Sequence, residues 1–220
     1  MNVSNVNVYD LNESIIASGY PMRTEVGKRA VEGKDWLRCL KLTKASNGNG
    51  AHGQWLTGVR VAFDLTCSNK MWVEAERYRF LEFVSSQSTM HRITKFDLRN
   101  QYNEYVDPRV IEIMEKKVAE YNALASEKHF EGATEEEIKN YQETLKEKYL
   151  EILYTNPAGF ELTARITTNY RCLLNIYIQR HDHRLPEWRR FCDYIYNYLP
   201  LFKDIVDAYN GQTKSLEICN

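Results

Sequence analysis

The stretch Asn169-Tyr-Arg-Cys-Leu-Leu-Asn-Ile-Tyr-Ile-Gln-Arg180 decides how this chain is read. Leu173, Leu174, Ile176, Tyr177 and Ile178 recur at helical spacing, so the segment predicts an apolar helix, with Asn169 leading into it. Its polar members do not gather on one solvated face. Arg171 and Asn175 lie four apart, which makes them neighbours on a helix, and both sit among apolar residues. An Asn or Arg in that setting must find hydrogen-bond partners, and a guanidinium fork suits a phosphate or the polar edge of a heterocycle. The competing reading is an Arg that runs its stem over apolar surface to water, beside an Asn bonded to local backbone.

Working outward, Phe160 to Thr168 is rich in Thr and apolar residues and reads as a strand feeding that helix. Pro186 opens another helix, with Trp188, Phe191, Cys192, Ile195 and Tyr198 on its apolar side. Upstream, Lys34 to Ala45 reads as a helix that stops at the Asn-Gly-Asn-Gly breaker, and Val59, Val61, Phe63 and Leu65 alternate as a strand with one buried face. Asn69 is placed to cap a helix running to about Val84. Pro108 begins a helix with Val110, Ile113, Met114, Val118 and Tyr121 as its stripe. Thr134-Glu-Glu-Glu137 is a capping box that starts a charged helix to about Tyr154. Strands separated by helical groups, without regular βαβ alternation, indicate an α+β fold: a mixed or antiparallel sheet packed with several helices. One domain over residues 1–220 is expected, with 108–154 a peripheral helical pair.

The composition is that of an ordinary globular protein, with 43% hydrophobic and 27% charged residues and a formal charge of -1. Bulk charge therefore gives no reason to expect a nucleic-acid partner. No apolar run approaches the roughly 18 to 20 residues of a membrane span, and the start lacks a basic stretch followed by an apolar one, so a cytoplasmic location without membrane association is expected. The five cysteines are widely spaced with no CxxC pair, which points to reduced, buried thiols rather than zinc or disulfides. His181-Asp-His183 places its imidazoles at i, i+2, where helical side chains diverge, so no metal site is expected. Glu74, Glu76 and Glu82 read as a charged helix face. No P-loop, G-x-S-x-G or G-x-G-x-x-G occurs.

Asn169, Arg171, Leu173, Asn175 and Arg180 resemble, in register, the N-x-R-x-L-x-N/H-F-x-x-x-R element of the flavin-dependent thymidylate synthases. A second window is similar to that family's R-H-R-x-x-S-x-N-x-x-S-x-R signature with its preceding Gln: Gln87, His91 and Arg92 match. Met90, Lys95, Asp97, Asn100 and Tyr102 stand where the family has Arg, Ser, Asn, Ser and Arg. Asp182, Glu187, Trp188 and Arg189 fall near the family's H-A-Q-x-E-I segment, but the spacing is one residue longer and the motif is not reproduced.

The resemblance implies FAD as cofactor, with Ser46, His91, Arg92, Asn169, Arg171 and Asn175 toward the flavin. It implies a pyrimidine nucleotide, dUMP or a relative, contacted by Gln87, Lys95, Arg99 and Arg180, with Arg180 also stabilising charge on the uracil ring. It further implies one-carbon transfer to C5 with methylenetetrahydrofolate and NADPH as co-substrates, in a homo-oligomer, a tetramer in the family. His52 lies near where a flavin-contacting histidine is expected and also reads as an exposed loop residue. Three functions stay open on the sequence: that enzyme, a divergent flavin- or nucleotide-binding relative without the activity, and a helical interaction or nucleic-acid-binding module carried by Arg184, Arg189 and Arg190. Replacement of the first and last arginines of the second window predicts weakened phosphate recognition, because Met and Tyr cannot form two charge-assisted bonds.

Overall fold

The computed structural model describes residues 1–45, 50–127 and 132–211. In chain order the elements are β1 (Asn2–Tyr9), α1 (Leu11–Ala17), α2 (Gly33–Ala45), β2 (Arg60–Ser68), α3 (Asn69–Ala75), β3 (Glu82–Ser86), α4 (Thr89–Arg92), α5 (Pro108–Ser126), α6 (Glu135–Thr155), β4 (Glu161–Asn169), α7 (Tyr170–Arg180), α8 (Pro186–Tyr198) and α9 (Phe202–Tyr209). The fold is α+β, and the four strands form an antiparallel sheet in the order β1-β2-β4-β3. Along β4 every second residue is buried, from Leu162 through Ala164 and Ile166 to Thr168. Thr66 and Thr163 join their hydroxyls at 2.7 Å, and Arg165 reaches Asp64 at 3.2 Å, cross-strand pairs that fix the register of β2 on β4.

The described chain forms two compact units. The first comprises Met1–Leu65, Val73–Ser85 and the chain from Ala164 onward. Its core holds Phe63, Tyr170, Trp188, Phe191 and Phe202, all essentially without solvent contact, and each such side chain contributes on the order of 1.5–3 kcal/mol by leaving water. Phe63 tilts against Phe191 at 5.8 Å, and Tyr170 meets Phe202 edge-on at 5.2 Å. The second unit comprises Thr66–Trp72 and Ser86–Thr163. It has its own core of Ile93, Leu98, Tyr102, Met114, Val118, Ile152, Phe160 and Leu162, so the helical pair α5–α6 buries a share of that core. Asp107 caps α5 by accepting from Arg109 N, and α6 begins with the expected capping box between Thr134 and Glu137.

Several local expectations are corrected. α3 ends at Ala75, not near Val84, because the Arg77 and Tyr78 amides turn back to Glu74 and Ala75 and the Phe83-Val84 stretch takes its place in the sheet as β3. The capping oxygen there is Ser68 Oγ, accepting from Met71 N at 3.3 Å, not Asn69. Ile113 and Tyr198 lie 49% and 73% exposed, outside the apolar stripes assigned to them. Glu74 is no member of a solvated face: it is largely buried in an ion pair with Arg180. Among the described residues no helix is long and apolar enough to cross a membrane, and no group of His, Cys, Asp or Glu could hold a metal.

Candidate functional site

Asn169 has extended backbone (φ -139°, ψ 166°), and its Oδ1 accepts from Cys172 N at 2.9 Å, the N-cap geometry that starts α7. Burial of Tyr170, Leu173, Leu174 and Ile176 then fixes the rotation of the helix. That rotation turns Asn169, Arg171, Cys172 and Asn175 into the wall of a cavity of about 1020 Å3 in the first unit. The opposite walls come from Gln54 and Thr57, from Arg60 to Ala62 on β2, and from the Tyr78-Arg79-Phe80 turn. Arg171 donates to Gln54 Oε1, which ties the helix start to the 310 turn Ala51–Thr57.

Three guanidiniums (Arg60, Arg79, Arg171) and one carboxylate (Glu82) line this cavity, an excess of positive charge that favours an anionic ligand. At the adjoining N-terminus of α7 the Tyr170 and Cys172 amides are already bonded to Val59 O and Asn169 Oδ1. Phe80, 56% exposed, adds an unburied ring. The thiol of Cys172 is pushed up by burial, which leaves it protonated and a poor nucleophile. The volume lies just above the roughly 300–1,000 Å3 usual for ligand sites, which leaves room for a large anionic ligand with a ring system.

Arg180 does not line the cavity. Its Nε donates to Tyr78 Oη at 2.8 Å and its Nη1 to Glu74 Oε2 at 3.1 Å, with the guanidinium 5.7 Å from the Tyr78 ring and 5.2 Å from that of Trp188. Trp188 Nε1 also donates to Glu74 Oε2, at 3.1 Å. Burial holds the imidazole of His183 below its usual pKa, and neighbouring Arg180 adds to that. Tyr78, by contrast, is a cavity residue that sequence reasoning assigned to a longer α3. Gln54, Thr57, Arg60 and Phe80 were missed as well; the aromatic-cation triplet Tyr78-Arg79-Phe80 was the available signal.

The second window lies in the second unit. His91 and Lys95 line a separate hollow of about 520 Å3 with Thr94, Tyr121, Asn122 and Tyr149. Arg92 is exposed outside that lining. Gln87 pairs with β4 twice, its N donating to Thr163 O and its Oε1 accepting from Thr163 N, both at 2.9 Å. Arg99 is clamped by Glu115 at 2.7 and 3.1 Å. Tyr102 is a core residue that donates to Asn156 Oδ1 at 2.9 Å. His52 lines a third hollow with Trp55 and Leu42, and Ser46 lies outside the described residues.

No family model matches the chain. No curated protein matches it either. Solved structures do. A flavin-dependent thymidylate synthase ThyX from Helicobacter pylori, complexed with FAD and dUMP, superposes with a TM-score of 0.65 at 15% identity over 97% of this chain and 100% of that one. A second structure of the Helicobacter pylori enzyme with FAD and dUMP gives 0.65 at 16% identity over 94% and 99%. The UMP/dUMP methylase PolB from Streptomyces cacaoi, bound with 5-Br dUMP, gives 0.60 at 12% identity over 96% and 94%. With the α+β elements and sheet order already described, these superpositions, nearly complete in both chains, establish that this chain has the fold of the flavin-dependent thymidylate synthases.

Proposed function

We propose that the chain binds FAD in the α7 cavity and catalyses transfer of a one-carbon unit to C5 of a uracil nucleotide, dUMP or a close relative. The observation that carries the reading is that Asn169, Arg171 and Asn175, three of the five residues of the family-like window, line one large cationic cavity.

The chemistry that flavin would supply here, when bound and reduced, is hydride donation, with methylenetetrahydrofolate and NADPH as the sources of carbon and reducing equivalents. The chain's own residues bind and orient. Arg60, Arg79 and Arg171 attract the pyrophosphate, exposed Phe80 gives ring surface, and Asn175 bonds the polar edge of a ring system. His91, Arg92, Lys95 and Gln87 are the nucleotide- and flavin-facing groups of the second window, in an assembly of several copies of the chain. Arg180, already bonded to Glu74 and Tyr78, acts by holding the cavity wall.

A second reading, a flavin- or nucleotide-binding relative without thymidylate synthesis, is favoured by one observation. Arg180 and Arg99, two of the cations expected at the nucleotide, are neutralised by Glu74 and Glu115. Incubation with FAD, NADPH, methylenetetrahydrofolate and dUMP tritiated at C5 separates the two. Tritium release with a product one methylene heavier supports the enzyme; FAD binding without release supports the relative.

A further inference from the structure

The hydrogen bonds behind the cavity run in one direction, and that direction is set by a group that cannot reverse. Arg180 can only donate. Its Nε–H is spent on Tyr78 Oη at 2.8 Å, so the Tyr78 hydroxyl proton must go elsewhere, and it goes to Gln179 Oε1 at 3.0 Å. With its oxygen facing Tyr78, the Gln179 amide turns its NH2 the other way, to Asn175 Oδ1 at 2.9 Å. Asn175 has then used its carbonyl on the relay. Glu74 anchors the start of the chain, accepting from Arg180 at 3.1 Å and from Trp188 at 3.1 Å. Burial raises the Tyr78 phenol pKa, which keeps the hydroxyl a neutral donor and the relay intact at neutral pH.

We propose that this Glu74–Arg180–Tyr78–Gln179 relay fixes the polarity of Asn175, so that Asn175 presents its NH2 to the cavity and the site selects a ligand edge made of acceptors: a ring carbonyl, an unprotonated ring nitrogen or a phosphate oxygen. Arg180, Tyr78 and Gln179 are positioning residues; Asn175 is the contact. The inference deepens the flavin reading above and rests on it for the identity of the ligand, though not for the orientation of the amide. Without the relay, an Asn in a cavity wall offers either end of its amide and discriminates poorly between donor and acceptor edges.

Gln179 is exposed, so its replacement tests the relay without emptying the core. Gln179→Glu keeps an acceptor for Tyr78 but turns a second oxygen toward Asn175, which forces Asn175 to swing its NH2 inward and show Oδ1 to the cavity. Gln179→Met breaks the relay without inverting it. Two measurements decide. Neutron diffraction from the perdeuterated, ligand-free protein places the deuterons: two on Asn175 Nδ2 directed at the cavity are expected, and deuterons of Asn175 directed at Gln179 would overturn the proposal. Equilibrium titration with FAD should give affinity roughly ten-fold or more weaker for Gln179→Glu, the effect of setting two acceptors against each other, and a smaller loss for Gln179→Met. Equal affinities of wild type and Gln179→Glu would also overturn it. Wild-type protein that binds no FAD removes the flavin reading, while the neutron map still decides the relay.

Discussion

Arg180 marks the difference between what a residue's register implies and what its surroundings permit. Its spacing from Asn169 resembles a nucleotide contact, yet Glu74, 106 positions away in sequence, takes its charge. A partner that distant leaves no trace in local periodicity. Arg180→Ala is expected to lose about 3 kcal/mol of stability, the low end for breaking a buried pair, whereas exposed Arg184→Ala should stay within about 0.5 kcal/mol; chemical denaturation of both variants checks this. Asp35 is a second buried charge, held by Arg29 at 2.6 and 2.7 Å and by Arg38 at 3.0 Å. These bonds, the Arg29 pair first, depress its pKa well below the usual carboxylate range. A depressed folded pKa stabilises above the unfolded value, near 3.9, and that stability is lost as pH falls through the folded value. Asp35→Asn should therefore destabilise the protein by about 1.5 to 3 kcal/mol at pH 7 and flatten the stability profile below about pH 4, as read from denaturation midpoints across pH.

Elements were legible where periodicity and a terminating signal agreed. α2, α5, α7 and α8 each have an apolar stripe with a cap, a Pro or a breaker, α6 has its capping box, and β4 alternates cleanly, while β2 shows the alternation of Val61, Phe63 and Leu65 with Ala62 buried as well. β3 was not legible because all five of its residues are exposed, so no buried face imposes a period of two. β1 has the alternation Val3, Val6, Val8 interrupted by Asn5 in the left-handed region (φ 50°), which breaks the pattern. The α6 cap is the cleanest test at this scale: Glu137 N donates to Thr134 Oγ1 at 3.3 Å and Thr134 N to Glu137 Oε2 at 2.8 Å. Thr134→Ala should lower stability by about 1 kcal/mol, seen as a lower Tm by calorimetry, and Thr134→Ser should restore most of it.

At the scale of the whole molecule, fold class and half of one cavity wall were readable in the sequence. The α7 wall is contiguous, so its three polar residues announced themselves together. The facing wall is assembled from a 310 turn, β2 and the turn after α3, segments that only the fold brings near one another. Shared backbone with two ThyX structures and the methylase PolB at 12–16% identity is consistent with this: core pattern outlasts side-chain identity, and function must be argued from the site. The central claim is that the α7 cavity holds a flavin. Titration of the purified chain with FAD, followed by the change in flavin absorbance, tests it most directly against Arg171→Ala. Saturable binding in the micromolar range that weakens roughly ten-fold or more in Arg171→Ala is the predicted result, the loss of a charge-assisted contact. Absence of binding by the wild type, or equal affinity in the variant, would contradict it.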